Sequence, residues 1–211
     1  MGIHVNEIFY SIQGETLYAG FPSLFIRLAG CNLNCKYCDT PNAKSRENSK
    51  LMSIEEIMGI AANHSFAHHI TITGGEPLIQ QEVLDLISIF GSLEVLTQVE
   101  TNGSVSIANS DRRARYIIDI KTPSSGEENS FNFENINALS SQDEVKFVIA
   151  DENDYDFAKT FIWKHLFPTP AIINFSPVFG VMKEEQLTNL IIKDALTVRL
   201  NVQLHKLIGH E

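Results

Sequence analysis

The chain has 211 residues, 44% hydrophobic and 20% charged, a globular composition whose length suits one domain over 1–211 but falls short of the roughly 250 residues of a full eight-unit β/α barrel. Sixteen Lys and Arg against 26 Asp and Glu give a formal charge of −10, which argues against nonspecific binding to nucleic acid or anionic membranes. No apolar run reaches the roughly 18 residues of a membrane span, and Met1–Phe9 lacks a charged-then-apolar leader, so a cytoplasmic protein is expected.

The first clear strand is Ser23 to Ala29, which runs into a cysteine-bearing loop. Ser53 with Glu56 three residues on forms a capping-box signature for a helix that turns Ile57, Ile60 and Ala61 inward. Ile70–Thr73 reads as a strand. Pro77 suits a first helical position and is followed by Leu78, Val83, Leu84, Ile87 and Phe90. Further β-branched runs are Val95–Val99, Tyr116–Ile120, Val145–Ile149, Ile172–Phe175 and Val198–Leu204. Helical patterns cover Asp154–Leu166 and Lys183–Leu196, and Ser124–Asn132 reads as a polar surface segment. The alternation of strand and helix predicts a parallel α/β sheet, and the length an incomplete, laterally open β/α barrel. Sites on such sheets form at the C-terminal strand ends, where the cysteine loop and Thr73-Gly74-Gly75-Glu76-Pro77 both fall.

All three cysteines, Cys31, Cys35 and Cys38, lie within eight residues. An odd number in a chain expected to be cytosolic argues against a disulfide framework. Structural zinc would need a fourth ligand, and no histidine follows Cys38 at zinc-finger spacing. A [4Fe–4S] cluster held by three thiolates would leave one iron open for a substrate or cofactor.

The Cys-x3-Cys-x2-Cys spacing, Tyr37 before Cys38, and Gly74-Gly75-Glu76-Pro77 after the next strand together resemble the radical S-adenosylmethionine enzymes. The likeness extends to Glu7–Glu15, to Cys38-Asp39-Thr40, to Ser176–Gly180 and to Val202–Lys206, and so covers nearly the whole chain. Within that group it resembles the ring-contracting 7-carboxy-7-deazaguanine synthase family of the queuosine and deazapurine pathway. Thr16 departs from that family's opening segment, where glycine is expected, and the tail beyond His205 looks variable.

The resemblance implies a lyase that converts 6-carboxy-5,6,7,8-tetrahydropterin to 7-carboxy-7-deazaguanine with loss of ammonia. It implies S-adenosylmethionine, a [4Fe–4S] cluster on Cys31, Cys35 and Cys38, and Mg2+ on Thr40. It also implies a homodimer, and an external flavodoxin-like or ferredoxin-like electron donor. S-adenosylmethionine contacts are expected from Tyr37, Asp39, Gly75, Glu76, Asn102, Thr122, Ser124, Ser176 and Phe179. Substrate contacts are expected from Ile12, Gln13, Gly14, Glu15, Arg27, Thr73 and His205, so that both chain ends build the substrate site.

Blander readings stand beside these. Gly74-Gly75 also suits a tight strand-to-helix turn, Asn102-Gly103 an Asn-Gly turn, and Thr40 a hydrogen-bonding turn residue. Arg27 sits on an apolar strand and needs an anionic partner, either a structural carboxylate or the substrate's own. A glycyl-radical activating enzyme and a zinc-stabilised interaction module remain as rival functions.

Overall fold

The computed structural model describes residues 2–64 and 69–209. Met1 of the segment read for a leader, and the last two residues of the tail, lie outside them.

Among the described residues, nine strands form one sheet: β1 (Ile3–Ile12), β2 (Pro22–Leu28), β3 (Lys50–Met52), β4 (His69–Gly74), β5 (Leu96–Thr101), β6 (Arg115–Asp119), β7 (Glu144–Ile149), β8 (Ile172–Pro177) and β9 (Arg199–Leu200). The helices are α1 (Ile54–Asn63), α2 (Glu82–Ser92), α3 (Glu134–Ala138), α4 (Glu152–Phe161), α5 (Glu184–Lys193) and α6 (Leu204–Ile208). The strand order is β3-β1-β2-β4-β5-β6-β7-β8-β9, so the sheet ends at β3 and β9 and stays open. From β2 through β4 to β9 every pairing is parallel. The β1–β2 and β1–β3 pairings are antiparallel, so the sheet is mixed at its N-terminal edge.

Local chemistry explains most boundaries. The Ser53 hydroxyl accepts from the Glu56 backbone N–H, and the Glu56 carboxylate accepts from the Ser53 N–H, which completes the capping box of α1. Pro77 opens a 3-10 turn, Pro77–Ile79, and not α2 itself, which starts at Glu82. The Glu76 side chain caps that turn. The expected helix at 154–166 is α4 followed by a π-helical turn over Ile162–Leu166. The expected strand Val198–Leu204 shrinks to β9, because Leu204 begins α6. Ser124–Asn132 is not a free surface segment. The Ser125 carbonyl accepts from Lys36 N–H, the Glu127 carboxylate accepts from Asn34 N–H, and Phe131 is buried, so the segment braces the cysteine loop.

Period-two alternation divides the parallel strands between two faces. One face is apolar: Ile72, Val99, Ile118, Val145, Phe147 and Phe175 pack with the inner faces of the helices, such as Val83, Leu86, Ile87 and Phe90 of α2, into a single core. The other face is polar, with Gln98, Glu144, Asn174 and Ser176 buried and Glu100, Arg115, Asp119 and Lys146 partly buried. The loop after β1 lies across this polar face. Gln13 Nε2 donates to Thr71 Oγ1 and Glu100 Oε1. Thr16 N–H donates to Asn201 Oδ1, and Leu17 N–H to Glu144 Oε1. Arg199 and Asn174 also donate to Glu144, and the Arg115 guanidinium lies over the Tyr18 ring. Thr16 has φ +69, a left-handed conformation that a β-branched residue adopts only when its surroundings enforce it. Here its backbone N–H is held by Asn201 and its hydroxyl by Gln98.

Candidate functional site

A cavity of about 860 Å³ opens at the C-terminal ends of the parallel strands. Its lining brings together Ile12, Gln13, Gly14 and Glu15 from the loop after β1, Arg27 from β2, and all three cysteines with Tyr37, Asp39 and Thr40. Thr73, Gly75, Asn102, Phe179 and His205 complete the sequence-derived set found there. Glu76, Thr122, Ser124 and Ser176 are not among the lining residues.

The cysteine loop is fixed by backbone contacts. Gly30 N–H donates to Ala43 O, Cys31 N–H to Lys44 O, and Glu76 N–H to Gly30 O. Gly75 and Gly74 are glycines for a packing reason. A Cβ on Gly75 would lie 2.1 Å from Gly30 O, and one on Gly74 2.1 Å from Leu28 O. The turn reading of Gly74-Gly75 therefore holds, while both residues still line the cavity. Cys31, Cys35 and Cys38 are free and partly buried. Burial pushes the Cys31 and Cys35 thiols above the usual range, and the nearby Lys121 ammonium pulls them down. Asn102 Nδ2 lies 3.9 Å from Cys31 Sγ and donates to Asn32 Oδ1. Gly103 has φ +72, so the Asn-Gly turn reading also holds.

Behind the wall, Glu76 is fully buried and its carboxylate accepts from Leu78 N–H, Thr101 Oγ1 and Asn102 N–H. Burial raises its pKa, and those three donors oppose the rise. Thr122 accepts or donates at Tyr37 Oη (3.0 Å) and donates to Val148 O. Burial pushes the Tyr37 hydroxyl up to about 12. Ser124 is turned to Asp154 and Asp151, and Ser176 Oγ accepts from Asn201 Nδ2.

Arg27 has a structural carboxylate beside it. Glu7 is its register partner on β1, and Arg27 Nε lies 2.8 Å from Glu7 Oε1, close enough for an ion pair but out of hydrogen-bond alignment. Arg27 Nη1 donates to Thr40 Oγ1, and the guanidinium lies over the Phe9 ring, which stacks on Phe25. Glu7 is half-exposed at the cavity rim, so a ligand carboxylate can compete with it for Arg27.

Asp119, Lys121 and Lys146 also line the cavity and were not singled out by the sequence, nor were Gln203 and Lys206 given a site role within the Val202–Lys206 motif; Glu100, in the strand-end segment Glu100–Gly103 whose polar groups suit a ribose, lines it too. Part of the signal lay in the strands: Asp119 ends β6 and its register partner Lys146 interrupts the apolar run of β7. Lys146 Nζ lies 2.9 Å from Glu15 Oε2 and 3.6 Å from Asp119 Oδ2, and Lys121 Nζ 3.1 Å from Asp119 Oδ2. Gln203 Nε2 donates to Glu15 Oε1, and Thr73 Oγ1 to Glu100 Oε2. His205 packs against Gly14, where a Cβ would lie 1.8 Å from its ring Nδ1.

Three thiols and a polar pocket at the strand ends of an open α/β sheet suit a cluster with an iron left open to a ligand. Among the described residues, no group of three or more His, Cys, Asp or Glu, the three cysteines included, is already arranged around a single metal ion. Residues 25–158 match the Radical SAM superfamily, and the class is therefore that of radical S-adenosylmethionine enzymes, which use S-adenosylmethionine and an iron–sulfur cluster. Two relatives named 7-carboxy-7-deazaguanine synthase are each 41% identical. That of Methanospirillum hungatei aligns over 99% of this chain and 86% of its own length, and that of Chlorobaculum tepidum over 98% and 94%. The crystal structure of QueE from Escherichia coli superposes with a TM-score of 0.81 at 23% identity, covering 97% of this chain and 95% of that one, and so shares the fold. The chain belongs to the 7-carboxy-7-deazaguanine synthase family. The glycyl-radical activating enzyme and zinc-module readings are not favoured by these relatives.

Proposed function

We propose that this protein contracts 6-carboxy-5,6,7,8-tetrahydropterin to 7-carboxy-7-deazaguanine with loss of ammonia, a lyase step of queuosine and deazapurine biosynthesis. The observation that carries the reading is one cavity with three free thiols, a guanidinium at its rim and the polar Gln13–Glu15 wall. Cys31, Cys35 and Cys38 would hold the cluster as thiolates. When bound, the cluster and S-adenosylmethionine supply an electron and a carbon radical able to take hydrogen from substrate C6.

The chain's own residues bind, orient and exclude water. Arg27 offers N–H donors to the substrate carboxylate, with Glu7 and the Phe9 ring holding the guanidinium in place. Glu15 accepts from the amino group of the pterin, and Gln13 and the backbone of Ile12–Gly14 read its amide edge. Phe9, Phe25, Val178 and Phe179 supply apolar lining that keeps a radical from solvent. Gly75, Asn102, Tyr37, Asp39 and Phe179 border the space for S-adenosylmethionine. Glu76, Thr122, Ser124 and Ser176 support that wall from behind.

Magnesium would find oxygen donors on Thr40 and Asp39, whose hydroxyl and carboxylate are 3.1 Å apart. Magnesium binding would displace the Arg27 donor from Thr40. A flavodoxin-like or ferredoxin-like donor, a cytoplasmic location and a homodimer complete the proposal. No helix among the described residues is long and apolar enough to cross a membrane. Light scattering should give about twice the chain mass of 23.6 kDa, and a monomer would remove the dimer from the proposal. The central test is anaerobic cluster reconstitution followed by mass spectrometry with the carboxylated tetrahydropterin and S-adenosylmethionine. A product lighter by one ammonia is expected. Unchanged substrate alongside 5′-deoxyadenosine would refute the assigned substrate.

A further inference from the structure

Lys146 is a largely enclosed charge in the cavity wall, its side chain 13% exposed, and no role described so far uses it. It projects from β7 between the carboxylates of Glu15 and Asp119. Burial by itself favours the neutral amine. Glu15, Asp119 and Glu100 outweigh burial and hold the ammonium well above its ordinary pKa. Burial raises Glu100, whose two oxygens take Thr73 and Gln13 as donors. Two ammonium groups, Lys146 and Lys121, thus lie among the carboxyl groups of Glu15, Asp119 and Glu100 that line the same cavity.

Glu15 itself has little freedom. Its Oε2 meets Lys146 and Asn201 Nδ2, and its Oε1 accepts from Gln203. Its backbone N–H donates to Gln13 Oε1, so the two residues that face the pterin edge move as one unit. Burial pushes the Glu15 carboxyl up, but Lys146 and Gln203 more than reverse this and leave it below its ordinary range. An ionised, immobile carboxylate is an acceptor without a donor, which selects ligands carrying N–H and rejects ligands carrying only lone pairs.

We infer that Lys146 is a specificity-determining positioning residue: it keeps Glu15 oriented as an acceptor for the exocyclic amine of an amino-pyrimidinone ring. This rests on the substrate proposed above. Lys146 acts through Glu15 and does not touch the reacting carbon. Its effect is therefore on which ring is bound and how tightly, and not on cluster assembly.

The test uses reconstituted full-length protein and equilibrium binding of two ligands, the carboxylated tetrahydropterin and its analogue lacking the exocyclic amine. The wild type should favour the amine by about 10- to 150-fold, the range of one hydrogen bond to a charged group. Lys146→Met should lose most of that preference, with iron content and S-adenosylmethionine affinity within about twofold of wild type. Adding Lys146→Met to Glu15→Gln should cost little more than Glu15→Gln alone, because coupled residues are not additive. Wild-type preference retained in Lys146→Met, or losses that multiply in the double variant, would overturn the inference. Removing one charge of a buried pair can unfold a protein. If Lys146→Met does not fold, the charge-neutral double variant is decisive, since an intact preference there overturns the inference and a lost one supports it. Should those variants all fail to fold, the wild type decides: equal binding of both ligands overturns the role of Glu15 and of Lys146 with it. Failure of the wild type to bind the tetrahydropterin at all would instead defeat the substrate reading itself.

Discussion

Replacing Glu76 by alanine should lower stability by about 2–4 kcal/mol and loosen the cysteine loop. The carboxylate is fully buried and accepts from Leu78 N–H at 3.0 Å, Thr101 Oγ1 at 2.8 Å and Asn102 N–H at 2.6 Å. Truncation orphans two buried backbone donors, each worth roughly 1–3 kcal/mol, while the Thr101 hydroxyl can rotate to a new partner. Burial already raises the Glu76 pKa, so removing the carboxylate returns part of the desolvation penalty and trims the sum. Glu76→Gln keeps one acceptor oxygen and should lose about half as much. Urea unfolding of the cluster-free protein measures the stability change, and thiol-reagent labelling of Cys31 reports the loop, since Asn102 is released from beside it. A stability change below about 0.5 kcal/mol, the range of ordinary surface substitutions, would show that water or rearrangement satisfies these donors.

Cys31→Ala, Cys35→Ala and Cys38→Ala should each reduce bound iron and bleach the brown colour of the reconstituted protein; full iron content in any of them would remove that cysteine from the cluster. Arg27→Ala should weaken substrate binding by about 10- to 150-fold with S-adenosylmethionine affinity preserved, and Arg27→Lys should rescue only partly, because an ammonium lacks the planar fork. Unchanged substrate affinity would leave Arg27 as the partner of Glu7 alone. Thr40→Ala should flatten the response of rate to added magnesium without altering the cluster spectrum; an unchanged titration would make Thr40 a turn residue. Lys146 and Gln203 hold the Glu15 carboxyl below its ordinary range in the folded protein, so its stabilisation is present above the ordinary carboxylate pKa and lost as pH falls through the lowered folded value. Glu15→Gln should accordingly lower the melting temperature at pH 7 more than at pH 3, and an equal loss at both would contradict the ionised pair with Lys146.

Strands with β-branched runs were legible because burial on the apolar face demands them: Tyr116, Ile118 and Ile120 share one core. β1 was not, since His4, Asn6 and Glu7 interrupt its pattern, and its hydrogen bonds are supplied by β2 and β3. β3 spans only three residues, too few to show a period. The C-terminal strand was overcalled because Val202 and Leu204 alternate, whereas Leu204 N–H is taken by Gly14 O across the loop after β1. In the site, the cysteines and Gly74-Gly75 announce themselves by type and spacing. Lys121, in the loop after β6, and Lys146, within β7, are less legible, because a lysine reads by default as a solvent-facing position, and only the opposing carboxylates make its burial tolerable.

The loop laid across the polar face of the sheet has a consequence for the order of folding. Residues near position 15 find their partners at Glu144, Asn201 and Gln203, contacts separated by 127 to 188 positions along the chain. Closing loops of that length has a high entropic cost and lies late on the folding route, after neighbouring parallel strands have zipped together. During synthesis, β1 and β2 can pair early, but the loop between them must wait for the last strand and α6 to emerge before it can settle. A nascent or clipped chain ending at β8 would therefore carry most of the sheet and the cysteine loop, yet no floor to the pocket. Emergence of β9 and α6 and competence to hold a small molecule are, in this architecture, the same event.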